Sequence, residues 1–421
     1  MKKIILLVLV FSSSTLMGQS QESQTSTLAM KINQGIDSSM LTTSATLIVE
    51  ESAKPTTDEL NQSKWLNEGI VPFFSFAAIA AANVSGGLEQ KGSYSGQLYA
   101  GINFDFEKIW GWKGTRAKLS MINRHGSGLS NSVGSVFEPL TLVGGQSTFL
   151  YDLSIEKDFG KQLSLKAGRT TTSDDFTMST LYYYSLNNTV NGVIRALLLD
   201  GLMTTFPFPT WGTRLKYKPT AKHQFQLAAY QLGERVFDIS HHGLDFAFRS
   251  SDDLSVFFQY DWLGEIAGRN ARVYLGTHQA FGSFDTFDSD NSSNHFTRYY
   301  GHLDVELKEG LSSFLTMAYS NHGEIAKVPF QSSFGLNWKG FSKKRADDRL
   351  LFFATVGTFS EEWANLQEQE LTSEIVLEMG YRFQIAKHFV VQPAVQYDIK
   401  PGGSGLIKNA IIPGVWIETN F

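Results

Sequence analysis

The chain alternates along most of its length. In SYSGQLYAGINFDF, residues 93–106, Tyr94, Leu98, Ala100, Ile102 and Phe104 share one parity, and Ser95, Gln97, Tyr99, Asn103 and Asp105 share the other. In TRAKLSMINR, residues 115–124, Ala117, Leu119 and Met121 oppose Arg116, Lys118, Ser120 and Arg124. In SEIVLEMGYRFQ, residues 373–384, Ile375, Leu377, Met379, Tyr381 and Phe383 oppose Glu374, Glu378, Arg382 and Gln384. A strand sends successive side chains to opposite faces, so each segment carries one apolar and one polar face. Sixteen such segments are expected, near residues 73–82, 93–105, 115–124, 149–157, 163–169, 212–218, 223–231, 254–262, 270–279, 299–308, 311–320, 332–339, 349–357, 374–384, 388–398 and 408–421.

A water-soluble sandwich could alternate in the same way. Segment length argues for a membrane, because a tilted spanning strand needs about 9–11 residues. The apolar parity also tends to end in rings, as in Leu254, Val256, Phe258, Tyr260 and Trp262. Rings at the ends of an apolar face suit a membrane-interface girdle. In lipid only a helix or a closed sheet satisfies every backbone N–H and C=O. The apolar stretch 69–84 is interrupted by Pro72, Ser75 and Asn83 and is too short for a spanning helix. The expected fold class is therefore all-β: a transmembrane antiparallel up-and-down barrel of about sixteen strands with both termini on the periplasmic side.

The ends of the chain agree. Lys2 and Lys3 precede an apolar run, Ile4 to Phe11, and then small and polar residues. This is the pattern of an export signal over residues 1–19, with Gly18 and Ser20 both acceptable before the cut. Residues 20–66 are rich in Ser, Thr, Gln and Glu and read as a periplasmic extension. The barrel is expected over 67–421. Its last strand, AIIPGVWIETNF, places Ile411, Val415, Ile417, Thr419 and Phe421 on one parity. A terminal Phe there resembles the signal read by the outer-membrane barrel assembly machinery.

Composition removes other classes. With no cysteine, there is no disulfide framework, thiol catalyst or Cys-based zinc site. A formal net charge of −5 offers no basic surface for nucleic acid. Aromatic content of 13% argues against general disorder.

Several blocks together resemble the OprB family of carbohydrate-selective porins. They are WLNEGI from Trp65, NVSGG at 83–87, DFEKIWGWKGTRAKL at 105–119, KAGRTTTSDDF at 166–176, TFPFPTWGTRLKYKP at 205–219 and VVQPAVQYDIKPGGSG at 390–405. The likeness spans roughly 66–421 and is diffuse between 264 and 350. The Ser/Thr-rich tail is longer than the family pattern, and a surface-layer homology module is missing. The resemblance implies a sixteen-stranded outer-membrane porin that passes mono- or small oligosaccharides by passive diffusion, without a cofactor. A general or ion-conducting pore of the same fold is the alternative. The partners expected are carbohydrate solutes and outer-membrane lipid. Monomer and homo-oligomer both stay open.

Selectivity in a pore comes from its width and from the groups lining it. A sugar offers hydroxyls and apolar C–H faces. The polar parity supplies Arg116, Lys118, Arg124, Arg214, Lys216, Arg272 and Arg382 as cations. Asp105, Asp261, Asp304, Glu306, Glu374, Glu378 and Asp398 are the anions. Gln224, Gln226, Gln259, Gln392 and Gln396 add neutral groups, and Tyr99, Tyr230, Tyr274 and Tyr300 could stack on sugar rings. Residues 170–211 are the candidate inward constriction loop, with an ordinary extracellular loop as the equal alternative. Arg169 shares the apolar parity and is expected at a strand end beyond the membrane.

RHGSGLSN, where His125 lies near Ser127 and Ser130, faintly suggests a barrel enzyme, but a catalytic pair also needs a third, orienting group. His241 and His242 with Asp245 could suggest a metal, though loop histidines seldom bind one. A plugged transporter would need far more chain before the barrel. A structural or adhesive barrel is the remaining alternative.

Overall fold

The computed structural model describes residues 68–287, 291–342 and 344–420. The expected export signal, the extension to residue 66 and Phe421 lie outside them. The strands are β1 (Ile70–Ala82), β2 (Gly92–Asp105), β3 (Thr115–Gly126), β4 (Thr148–Phe159), β5 (Leu163–Thr170), β6 (Thr210–Thr220), β7 (His223–Leu232) and β8 (Asp253–Ile266). They continue as β9 (Arg269–Asp285), β10 (Ser292–Lys308), β11 (Leu311–Ser320), β12 (Phe330–Lys339), β13 (Arg349–Thr358), β14 (Ser373–Ala386), β15 (Phe389–Ile399) and β16 (Ala410–Asn420). Each pairs antiparallel with its sequence neighbours, and β1 closes on β16 from Ser75↔Asn420 to Ala81↔Gly414. No helix among the described residues is long and apolar enough to cross a membrane.

Each of the sixteen expected segments is one of these strands, and the faces follow parity. Leu98, Met121, Leu254, Phe258 and Met379 stand open on the outer wall, while Tyr99, Ser120, Gln259 and Glu378 are buried inside. The exception is β4. A register shift opposite Ser120 and Met121 leaves Tyr151 without a cross-strand partner, and Tyr151 and Asp152 are both buried. Such a bulge lets adjacent residues serve one face.

Most turns at the chain-termini end of the barrel are short, as at 160–162, 221–222 and 309–310. The long connections gather at the opposite, extracellular end. Two of them, 127–147 and 171–209, fold down into the barrel.

Candidate functional site

Loop 171–209 packs as a second core inside the barrel. Phe176, Tyr182, Val190, Ile194 and Leu197 are fully buried against inward rings of the wall that include Tyr230, Phe257, Tyr274 and Phe314. Its backbone is held by wall side chains. Gln226 Nε2 donates to Asp175 O at 3.1 Å and Arg272 Nη1 to Met178 O at 2.8 Å. Thr177 N donates to Gln259 Oε1 at 3.1 Å, and Ala196 N to Gln331 Oε1 at 2.7 Å. Glu378 accepts from Leu186 N at 2.8 Å, Asn187 N at 3.0 Å and Ser185 Oγ at 2.9 Å. Each bond satisfies a loop group that would otherwise be buried without a partner.

Loop 127–147 is held likewise. Glu374 accepts from Ser135 Oγ at 2.5 Å, Val136 N at 3.0 Å and Phe137 N at 3.2 Å. Gln396 ties the loops together, accepting from Asn187 Nδ2 at 2.9 Å and donating to Pro139 O at 2.9 Å.

Between these loops and the wall of β1, β2, β3, β14 and β16 runs a cavity of about 160 Å³. Arg124, Arg195, Arg382, Glu418, Asn188 and Asn191 give it polar groups, and Tyr99, Tyr184, Phe206 and Trp416 give it rings. Among the described residues Arg124 bonds only to neutral oxygens, Gln97 Oε1 at 3.0 Å and Gly144 O at 3.1 Å, and lies 4.8 Å above the Phe206 ring. Arg195 Nε and Trp416 Nε1 have no hydrogen-bond partner among the described residues. Burial pulls the Arg195 guanidinium below its ordinary value, and the Glu138 charge opposes that fall. Glu138 itself is occupied by the N–H groups of Leu129, Ser130 and Leu140. Arg382 alone is matched, giving Nη2 to Glu418 Oε2 at 2.7 Å while lying 5.5 Å over Tyr184. The passage thus holds three guanidiniums against one carboxylate.

Of the twenty-three lumen candidates named from the sequence, Tyr99, Arg124 and Arg382 line this cavity. The structure places the others elsewhere. Lys118 is 5.5 Å over the Tyr99 ring. Arg116 pairs with Asp158 at 2.7 Å, toward the periplasmic end. Arg214 bridges Asp175 and Glu156 at 3.2 and 2.8 Å. Arg272 pairs with Asp261 at 2.6 Å. Asp304 accepts from Ser179 Oγ at 2.8 Å, and Glu306 from Asn270 Nδ2 at 3.3 Å. Asp398 is buried beside Ser135. Tyr230 and Tyr274 belong to the loop core, with Tyr274 Oη 3.1 Å from Tyr182 Oη. Glu374, Glu378 and Gln396 are loop anchors. The physical reason is that parity tells which side chains face the lumen, but a folded loop occupies much of it, and Arg116 and Glu306 sit near the periplasmic end of the lumen instead. Arg195, Tyr184, Phe206, Trp416 and Glu418 were missed. Arg195 carried a usable signal, a single charge inside the apolar run VIRALLL.

Neither the Ser–His pair nor the loop histidines meet in a catalytic or metal-binding geometry. His125 Nε2 is 2.7 Å from Tyr94 Oη, while Ser127 Oγ contacts Ser93 Oγ at 2.9 Å. His242 Nδ1 lies 2.9 Å from Thr148 O. Among the described residues no group of three His, Cys, Asp or Glu could hold a metal.

Known proteins agree with this architecture. The chain is 22% identical over 409 residues to Porin B of Pseudomonas aeruginosa, covering 86% of this chain and 89% of that one. It is 22% identical over 396 residues to the putative porin QuiX of Acinetobacter baylyi, covering 82% and 88%. The high-pH structure of Pseudomonas putida OprB superposes with a TM-score of 0.81 at 20% identity, covering 86% of this chain and 96% of that one. Residues 89–421 match the family described as carbohydrate-selective porin, OprB family, and the chain belongs to that family.

Proposed function

We propose that carbohydrates cross the outer membrane through the passage lined by Arg124, Arg195 and Arg382, moving passively down their gradient. The observation that carries this is the meeting of guanidiniums and amides with rings in one narrow space. The side chains of Arg124, Arg195, Arg382, Asn188 and Asn191 offer polar contacts to the sugar hydroxyls, while Tyr99, Tyr184, Phe206 and Trp416 cover its C–H faces. Conduction needs contacts strong enough to admit a solute and weak enough to release it. The stapled loops hold the walls of the passage in place.

The test is single-channel conductance of the refolded full chain in a planar bilayer with a panel of sugars. Block that saturates with sugar concentration supports the reading; steady conductance untouched by any sugar overturns it. A second reading, an anion-conducting pore, is favoured by Arg124 and Arg195 lacking a carboxylate partner within the passage. Strong anion preference without sugar block would select it.

The same reading includes export through the signal at residues 1–19 and delivery to the barrel assembly machinery through the last strand. Phe421→Ala is expected to lower the amount of folded barrel in the membrane while the barrels that insert keep their conductance. Whether copies associate is read from the mass of the detergent-extracted protein.

A further inference from the structure

The barrel wall has a notch. β5 ends at Thr170 and β6 begins at Thr210, so the highest β4–β5 pair is Leu153↔Arg169 and the top of β4 has no strand on that side. Residues 233–252, which join β7 to β8, lie across the gap on the outside. Leu150 N, on the free edge of β4, donates to His242 O at 2.9 Å. Arg169 Nη1 donates to Asp245 O at 2.6 Å, Trp211 Nε1 to Phe246 O at 3.0 Å, and Gln231 Nε2 to Ala247 O at 2.9 Å. Carbonyls on four residues of this irregular segment are therefore satisfied by the wall.

Arg169, Trp211 and Gln231 all occupy the outward parity of their strands. An arginine on a lipid face is costly at the bilayer midplane and less so toward the interface. Here Arg169 and Gln231 are buried under the segment. The neighbouring wall at this height is apolar: Gln231 pairs with Leu254 and Leu254 with Phe281, both open on the outer face. The segment continues that surface. Leu244, Phe246 and Phe248 alternate outward, Phe248 being 71% exposed, while Asp245 between them turns to Arg235. Phe248 stacks on Trp211 at 5.6 Å and 20°.

We propose that residues 244–248 form a lipid-contact patch: an irregular stretch of wall that seals the notch and inserts Leu244, Phe246 and Phe248 among the acyl chains at the outer edge of the membrane. The wall supplies the hydrogen bonds that a neighbouring strand would give, and the segment supplies the apolar face that Arg169 and Gln231 lack. Membrane-depth backbone of this kind is tolerated where protein covers its polar groups.

The absence of native cysteine permits a direct test. Phe248→Cys and, as a second position, Leu244→Cys would carry a nitroxide in the full barrel refolded into dioleoylphosphatidylcholine vesicles. Leu215→Cys on the outward face of β6 is the lipid reference, and Leu406→Cys, at an 82% exposed site between β15 and β16, is the water reference. The expected result is an oxygen-to-nickel-chelate collision ratio several-fold above that at 406 and near that at 215. A ratio matching 406 at both positions would show a loop facing water and overturn the proposal. Spin–spin broadening that vanishes on dilution with unlabelled protein would show a second copy on this face, and overturn it too.

Discussion

Loops 171–209 and 233–252 leave the same end of the barrel and are fastened in the same way, yet one turns inside and the other lies outside. In both, side chains of the wall hold backbone groups of the loop. The difference is which face of the wall supplies them. Gln259, Arg272, Gln331 and Glu378 point inward and draw 171–209 into the lumen. Arg169, Trp211 and Gln231 point outward and hold 233–252 against the outer wall. The charges differ in setting too. Asp175, fully buried at its side chain, meets Lys166 at 3.0 Å and Arg214 at 3.2 Å. Asp252, nearer the surface, meets Arg235 at 2.7 Å. Placement of polar residues on a wall can thus decide whether a loop becomes a constriction or a cover.

The sharpest way to break this contrast is Asp175→Asn. It leaves Lys166 and Arg214 buried without their shared counter-charge, a loss of about 3–5 kcal/mol for a pair of this kind. The expected result is a lower thermal unfolding midpoint, followed by gel mobility, and a noisier channel. An unchanged midpoint and quiet current would mean that 171–209 is held by its apolar core alone. Acid probes the same site. Burial pushes the Asp175 carboxyl up, but the Lys166 and Arg214 charges more than offset this and hold it well below the usual carboxylate range. A depressed value contributes stability above the unfolded carboxylate pKa of about 3.9. That contribution falls away progressively as pH drops below it toward the folded value. The loop should stay seated down to about pH 4. Current noise that rises already near pH 6 would assign control to another group.

Next in size is Glu378→Gln. One amide oxygen cannot serve Ser185, Leu186 and Asn187 together, and an unmet buried donor costs about 1–3 kcal/mol. Larger, more variable conductance with an intact barrel is expected, because this turn sets the wall of the passage. Conductance equal to the parent would show that Gln396, on Asn187, and Gln392, which donates Nε2 to Tyr184 O at 2.6 Å, suffice.

All sixteen strands were legible because lipid on one side and a polar lumen on the other enforce a period of two that few sequences show by accident. The bulge at Tyr151 was not, since alternation gives no mark of a skipped residue. The site was legible only in part. Lumen parity marks Tyr99, Arg124 and Arg382 in the same way as Arg214, Arg272 and Glu378, but the first three meet open space and the others meet a loop. Whether an inward residue touches solute or protein depends on how loops fold hundreds of positions away, and local patterning does not carry that. Loop 171–209 looked equally suited to either side because its apolar residues lack the regular spacing of a strand.

Arg195→Gln separates holding from conducting within the inward loop. Its side chain has no ion pair within 4 Å among the described residues, so its loss strands no counter-charge and the unfolding midpoint should move less than in Asp175→Asn. The pore should change instead, with weaker anion preference in reversal potential and weaker sugar block. A large loss of stability with unchanged permeation would make Arg195 one more anchor.

The smallest effect is expected at the outer loop. Asp252→Asn weakens its pair with Arg235, but Asp245 remains on the same guanidinium and the side chains lie near the surface. Pairs in such settings contribute about 1 kcal/mol or less. The unfolding midpoint and sugar block should stay near the parent, because 233–252 touches neither the passage nor its loops' carboxylate anchors. What should change is the probe at Phe248→Cys, whose mobility should rise as the clasp loosens. If Asp252→Asn instead altered conductance as strongly as Glu378→Gln, the cover and the constriction would be one mechanical unit. The path would run through the edge-to-face rings of Phe237 and Phe208, 5.4 Å apart, to Phe206 at the wall of the passage.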